Sequence, residues 1–477
     1  MPAAMNYTPD DVALQKAAAA ELLDRRTMID EALRYYEGKH REYLKTDDGI
    51  NDNVRRNLWK EAKDREVSFL FPKMVGLSLD QDELDDTSDE KWLLDAWEEN
   101  GGAELLNELA LWGALAGHVF ARVMEPKPGE EYPCIYALDP SNVLVFWKAD
   151  NKREVLWYSI YWSSGKTEYR QDLVENEQTE GWMIYQYSRE RNDNNQTEST
   201  WLRTMATPWG YPSSPIVDWP HIRRPREYYG SNEGELIALN DALNRKSSDI
   251  SRILRFHASP KTVGTGFEAD EVTPTAIENF WTIDEADAKV YNLEMQSDLI
   301  SSMRYVEFLE AGFRSEHRTV VLKGAAADFQ RVTDMGVRTI FKDMLDKMAQ
   351  LRLTYGRGIT RLCKTLRYVG KQPNPEQKPK VAWPDPLPSN PTEKIAVIKD
   401  ELDLGLVSKQ TAATDMGRAW KVEQERIDAE GAVGDTPVMR QLRREQGVPV
   451  PPGGPQMPMT QPGMVPQQGG VNVPTQQ

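Results

Sequence analysis

Ser164-Gly165-Lys166-Thr167 ends in the Gly-Lys-Thr of a phosphate-binding loop, where backbone N–H groups cradle phosphates, the lysine reaches terminal oxygens and the hydroxyl holds magnesium. The glycine that should open such a loop is replaced by Ile160, and residues on both sides alternate as strands do, so a hairpin turn is expected. Gly264-Thr265-Gly266-Phe267-Glu268-Ala269 satisfies a relaxed dinucleotide pattern. No strand-helix-strand unit surrounds it, and Pro274 breaks the helix that would have to follow, so it reads as a mobile loop. The acidic run Asp80, Asp82, Glu83, Asp85, Asp86, Asp89, Glu90 has oxygens enough for a divalent cation but lacks the glycine and spacing of a calcium loop, and reads as a solvated loop. His40, His118, His221, His257 and His317 are scattered without a His-x-x-x-His pair, and Cys134 and Cys363 have no zinc spacing. No catalytic, cofactor-binding or metal-ligating residue is assigned, no cofactor is expected, and no catalytic activity is expected of the chain itself.

Two basic groups remain. Arg245, Lys246, Arg252 and Arg255 lie along one helical segment, where pairing between subunits, a water-filled channel and plain solvation are all open to them. His221-Ile222-Arg223-Arg224-Pro225-Arg226 is either a compact basic patch or an ordinary surface connector. The chain as a whole is acidic, 75 Asp and Glu against 58 Lys and Arg in 477 residues, a formal charge of -17. That disfavours tight binding to nucleic acid through neutralised phosphates. With 39% apolar, 28% charged and 9% aromatic residues the chain has the profile of a folded protein of two to four domains, at about 100–200 residues each. Residues 1–11 lack a basic segment followed by an apolar run, and no stretch reaches the roughly 20 apolar residues of a membrane span, so a soluble protein made in the cytosol is expected.

The elements follow from periodicity. Val12, Leu14, Ala18, Leu22, Ile29, Leu33 and Tyr36 recur at helical spacing behind an N-cap at Thr8–Asp11, and the helix should stop near Gly38. Further helices are expected at 54–70, 89–100 and 103–118. Between 119 and 219 the period drops to two, as in Val155, Trp157, Ser159 and Tyr161, which marks a strand-rich insert. Helical spacing returns over 231–257, but Asn240, Asp241, Asn244, Arg245, Lys246, Ser247, Ser248 and Asp249 make that helix so polar that it is expected to pack against copies of itself with one face open to water. A short mixed stretch at 261–296 precedes a helix at 298–318 and the small-residue segment Val320–Asp328. From Phe329 to Val369 the helical period holds over about 41 positions, about 60 Å if continuous, with Gly356 and Gly358 as candidate bends. Extended chain at 373–391 and helices at 392–404, 408–418 and 421–430 follow, then an almost uncharged tail rich in Pro, Gln and Gly that is expected to be disordered.

This order, together with several local stretches, resembles the portal proteins of tailed double-stranded DNA bacteriophages, siphovirus type. The stretches are Tyr35-Tyr36-Glu37-Gly38-Lys39-His40, Trp97-Glu98-Glu99-Asn100, Gly117-His118-Val119-Phe120, Pro215-Ile216-Val217, Tyr229-Gly230-Ser231-Asn232-Glu233, Ala242 to Asp249 and Leu404 to Thr411. The likeness spans residues 9–430. It implies an α+β, mainly helical portal fold with wing, stem, clip and crown, assembled as a ring of about twelve subunits. Carried over, 1–225 is the wing with its insert at 119–219, 226–257 the first stem helix, 258–297 the clip and 298–318 the second stem helix. The tunnel loop is 319–328, the long wing helix 329–369, the crown 370–430 and the tail 431–477. The tunnel loop offers Lys323, Gly324, Ala325, Ala326, Ala327 and Asp328 to the channel.

The resemblance also implies a virion location at one capsid vertex, after assembly in the host cytoplasm. Its partners would be copies of itself, major capsid and scaffolding proteins, the large terminase, a head-completion adaptor and the passing double-stranded DNA, with no membrane. An acidic channel suits the task, since each neutralised phosphate would add binding free energy and slow sliding. The alternatives are another virion structural protein, of capsid or scaffold type, and a DNA-processing enzyme, which would need the convergent carboxylates or phosphate loop missing above.

Overall fold

The computed structural model describes residues 3–4, 6–45, 49–79, 88–176, 181–190, 200–258, 261–265, 280–283, 289–293, 299–320, 334–387, 391–415, 424 and 426–427. They form two compact units, Met1–Pro388 and Ser389–Gln477. The first opens with β1 (Ala3–Ala4), α1 (Val12–Tyr36), α2 (Leu58–Leu70), β2 (Gly76–Ser78), α3 (Ser88–Glu99) and α4 (Ala103–Ala116). Eight strands follow: β3 (His118–Met124), β4 (Cys134–Ala137), β5 (Val143–Lys148), β6 (Val155–Ser164), β7 (Thr167–Asn176), β8 (Gly181–Glu190), β9 (Leu202–Pro208) and β10 (Ile216–Pro220). Then come α5 (Leu236–Ala258), β11 (Lys261–Thr265), β12 (Phe280–Ile283), β13 (Lys289–Leu293), α6 (Leu299–His317), α7 (Asp334–Ile340), α8 (Lys342–Val369) and β14 (Lys380–Ala382). The second unit holds α9 (Pro391–Asp403) and α10 (Lys409–Asp415). Helix outweighs strand, 49% to 20%, in a mixed α+β chain.

Local chemistry sets the boundaries. Asp11 caps α1 by accepting from the N–H groups of Ala13 and Leu14. Gly117 ends α4 in the left-handed region at φ 77°, and a side chain there would meet the Gly230 carbonyl oxygen at 2.6 Å, so the Gly-His-Val-Phe and Tyr-Gly-Ser-Asn stretches touch backbone to backbone. The Gly-Lys-Thr of the apparent phosphate loop is a hairpin: Ser164 pairs with Thr167, Gly165 turns at φ 60°, and no helix follows. Among the described residues strands β5 to β9 of the insert, joined at the β5 edge by the N-terminal β1, form a six-stranded sheet, β1-β5-β6-β7-β8-β9, antiparallel except for β1 on β5, and β10-β3-β4 form a three-stranded sheet. The main core lies between the second sheet and helices α2, α3, α4 and α8, around Trp97, Phe120, Trp219, Tyr355 and Leu362.

The long apolar period resolves into two helices. The chain turns at Phe341 between α7 and α8, and residues 329–333 lie outside the described residues. Gly356 and Gly358 do not end or interrupt the α8 helix. A methyl group at 358 would sit 2.3 Å from the Trp219 ring, so this glycine serves close packing rather than a bend. After α8, residues 371–387 return over the first unit, where β14 pairs antiparallel with β2. No described helix is long and apolar enough to cross a membrane.

Candidate functional site at the root of a helix pair

Part of the polar face of α5 is buried within the chain rather than open to water: Arg245 and Lys246 are exposed and Asp249 half-buried, but one row turns inward. Asn240, Asn244 and Ser248, one turn apart, are each 0% exposed. They meet the non-helical segment 54–57 and Leu58, the first residue of α2, where a helix from 54 was expected. The backbone N–H of Leu58 donates to Asn240 Oδ1, that of Arg56 to Asn244 Oδ1 and that of Val54 to Ser248 Oγ, each at 2.9 Å. Asn240 and Asn244 return bonds to the Arg56 carbonyl at 3.2 and 3.0 Å. Two residues of extended chain rise about 6.6 Å and four residues of helix about 6 Å, so alternate N–H groups of one match every fourth side chain of the other. Residues 54–57 cannot join α2 and make this ladder, so the helix starts only at Leu58.

At the foot of α5 and α6 six ionisable side chains from five segments converge. Lys63 and Glu66 come from α2, His221 from the chain after β10, Glu233 from the turn before α5, His317 from the last turn of α6 and Lys347 from α8. Lys63 Nζ lies 3.1 Å from Glu233 Oε2 and 3.4 Å from Glu66 Oε2. Lys347 Nζ lies 2.7 Å from Glu233 Oε2 and 3.3 Å from Glu66 Oε1. The ring nitrogens His221 Nε2 and His317 Nε2 reach Glu66 at 3.0 and 3.2 Å. On the far side His221 Nδ1 meets the Tyr355 hydroxyl at 2.8 Å and His317 Nδ1 the Thr319 hydroxyl at 2.5 Å. Each Nε2 faces a Glu66 oxygen and donates to it, while the hydroxyl against each Nδ1 can donate or accept. The ammonium groups of Lys63 and Lys347 stand against the carboxylates of Glu66 and Glu233.

Burial pushes Glu66 up, but Lys347, Lys63 and His221 outweigh it and hold the carboxyl well below its usual range. Burial likewise opposes the charge of Lys63, and Glu66 with Glu233 reverses the effect and raises it. His317 is lowered, chiefly by burial, with Glu66 acting against. Ligand-type atoms of Glu66, Glu233 and His317 lie within 4.8 Å of one another. Both carboxylates already hold the ammonium groups of Lys63 and Lys347, so the cluster does not fit a metal ion. It fixes the feet of α5 and α6 to α2 and α8.

The comparisons bear on what such a scaffold is for. The family model described as phage portal protein, SPP1 Gp6-like, matches residues 16–433. This chain belongs to the phage portal protein family. Portal and head-tail connector roles in a virion, and DNA packaging, follow from that membership. Compared with curated proteins, the chain finds no match. Among solved structures it is similar to a chain of the virion of a native gene transfer agent particle, at 12% identity and TM-score 0.42 over 82% of this chain and 93% of that one. It is similar also to a chain from the neck of an empty gene transfer agent particle computed with C6 symmetry, at 13% identity and TM-score 0.41 over 76% and 89%.

Several portal-like stretches prove to be joints of the first unit. Tyr35 donates from its hydroxyl to Asp241 at 2.7 Å, and Asn100 Oδ1 receives the Ile135 N–H at 2.6 Å. Asn232 Nδ2 donates to the Leu115 carbonyl at 2.7 Å, and Glu233 sits in the charge cluster. His118 pairs with Asp218 at 2.9 Å, and Tyr158, Tyr228 and Arg361 hold the same carboxylate.

Of the basic helix residues, Arg255 binds Asp52 at 2.7 Å and Arg252 donates to the Lys45 carbonyl at 2.8 Å, both within the chain. Arg245 is exposed, and Lys246 pairs with Asp249 at 3.3 Å near the surface. In the Arg-rich connector His221 is buried, while Arg224 donates to Ser231 Oγ at 2.9 Å. Lys323, Gly324, Ala325, Ala326, Ala327 and Asp328 lie outside the described residues, as do Gly266–Ala269, Asp80, Asp82, Glu83, Asp85 and Asp86 of the acidic run and the tail at 431–477. The last two residues of that run are structural: Glu90 accepts the Leu79 N–H at 3.1 Å and Asp89 pairs with Arg367 at 3.4 Å. The charge cluster was not legible in sequence, because only Lys63 and Glu66 are near neighbours in the chain.

Proposed function

We propose that the chain works as one subunit of a homo-oligomeric ring, of about twelve copies, that forms the DNA channel at one capsid vertex. The ring docks the large terminase during packaging and a head-completion adaptor afterwards, and it meets capsid and scaffolding proteins at its rim. It has no catalytic activity of its own. The observation that carries the reading is the pair α5 and α6, rooted in one buried charge cluster and joined at its far end through β11, β12 and β13, three strands in one small sheet. In this reading α5 and α6 are the stem and 258–297 the clip. Residues 319–328 are the tunnel loop, and α8 is the long helix of the wing. The crown begins at 389, since 371–387 pack with the first unit. Negative-stain electron microscopy of the purified chain with native mass spectrometry tests this. Rings with a central hole are expected, and a chain that remains monomeric at all concentrations would overturn it.

A further inference from the structure

The exposed faces of α5 and α6 differ in kind. On α6, Met303, Arg304, Glu307, Phe308 and Ala311 recur at three- and four-residue spacing, and all are exposed, Met303 at 56% and Phe308 at 69%. Tyr305 stacks on Phe308 at 6.3 Å and is itself 47% exposed. On α5 the outward stripe is Ala238, Arg245 and Lys246, with Ala242 and Asp249 half-buried at its edge, small residues followed by charges. A large apolar stripe with one cation and one anion thus has, on the sister helix, a stripe of small residues with two cations and one anion, enough to oppose both charges.

Their heights correspond. The two helices run antiparallel, with Glu233 and His317 together at the foot, 3.4 Å apart. Higher up, Arg56 binds Asn244 of α5 through its backbone and Glu310 of α6 through its guanidinium, at 2.9 Å each. Counted from these ties, Lys246 stands within one helical turn, about 5.4 Å, of the height of Glu307, Asp249 of Arg304, and Ala242 of Ala311. Copies related by rotation about an axis along the helices keep every residue at its own height. A rotation also presents two different faces to each other and closes into a ring.

We propose that the α6 stripe docks on the α5 stripe of the neighbouring copy, with Glu307 against Lys246, Arg304 against Asp249, and Phe308 lying over Ala242 and the stem of Arg245. This rests on the ring reading above and names its seam. Lys246 and Asp249 neutralise each other only in part, their side chains being 49% and 37% exposed, so both have reach left for the neighbour. Arg252 and Arg255, held by the Lys45 carbonyl and by Asp52, take no part.

The experiment compares ring formation, by native mass spectrometry and negative stain at low and high salt, for wild type, F308E, K246E, E307K, the double variant K246E/E307K, and an equimolar mixture of the two single variants. Circular-dichroism melts establish that each variant is folded. Rings are expected to be lost in F308E and in each single charge variant. They should return in the double variant and in the mixture, where alternating copies face opposite charges at every seam. Wild-type rings together with rings in F308E would overturn this seam while leaving the ring reading intact. Folded single variants rescued by neither the double variant nor the mixture would overturn the pairing of Lys246 with Glu307. A wild type that forms no rings would overturn the ring itself.

Discussion

At the scale of single residues, Lys63, Glu66, His221, Glu233, His317 and Lys347 form one dry, mutually paired cluster. Removing Glu66 leaves Lys63 and Lys347 buried with Glu233 as their one remaining anion in it. Glu66→Gln is expected to cost about 3–5 kcal/mol, read as a lower denaturation midpoint. The same groups set a pH window. His317 and Glu66 are held below their ordinary 6.5 and 4.5, so the folded chain binds protons more weakly than the unfolded one there. Their contribution is present above those values and is lost as pH falls through them. Lys63 is raised above 10.5, so its contribution is present below that value and is lost as pH rises. Melts across pH should show stability falling off on both sides, and H317Q should flatten the first acid step while His118, lowered chiefly by burial, preserves part of it. Gly358→Ala tests packing alone: a methyl group 2.3 Å from the Trp219 ring should cost about 1–3 kcal/mol without moving the pH profile.

At the scale of elements, burial of one polar row of α5 makes residues 54–58 part of that helix's environment. Asn244→Ala removes the acceptor for one buried N–H and should cost about 1–3 kcal/mol, with faster hydrogen exchange at Arg56 as the specific readout. Sequence periodicity found most elements because caps and turns are local: Asp11, Gly117 and Gly165 each stop or start something by their own chemistry. It failed where the deciding partner is distant. Asn240, Asn244 and Ser248 read as a wet face because the backbone that satisfies them lies about 190 residues away in the chain. The charge cluster was hidden for the same reason, its members ranging from Lys63 to Lys347. Gly358 looked like a bend because glycine weakens helices in general, and only the Trp219 ring reveals its use.

At the scale of the whole molecule, the excess of 75 acidic over 58 basic residues suits a passage through which DNA must slide. Lengthening Val320–Asp328 is expected to block packaging while sparing ring assembly, measured as empty heads that still carry the ring. DNA-filled heads would remove the tunnel role from that segment.

The ladder between 54–58 and α5 also has a mechanical meaning. Three polar side chains at a spacing of four make α5 a notched rod, and alternate N–H groups are the pawl. To slide, the helix must first leave all three notches at once. After a travel of four residues, about 6 Å, two of the three engage again: in one direction Asn240 and Asn244 enter the slots of Asn244 and Ser248. Axial force on such a helix must therefore break three hydrogen bonds together before the helix moves at all.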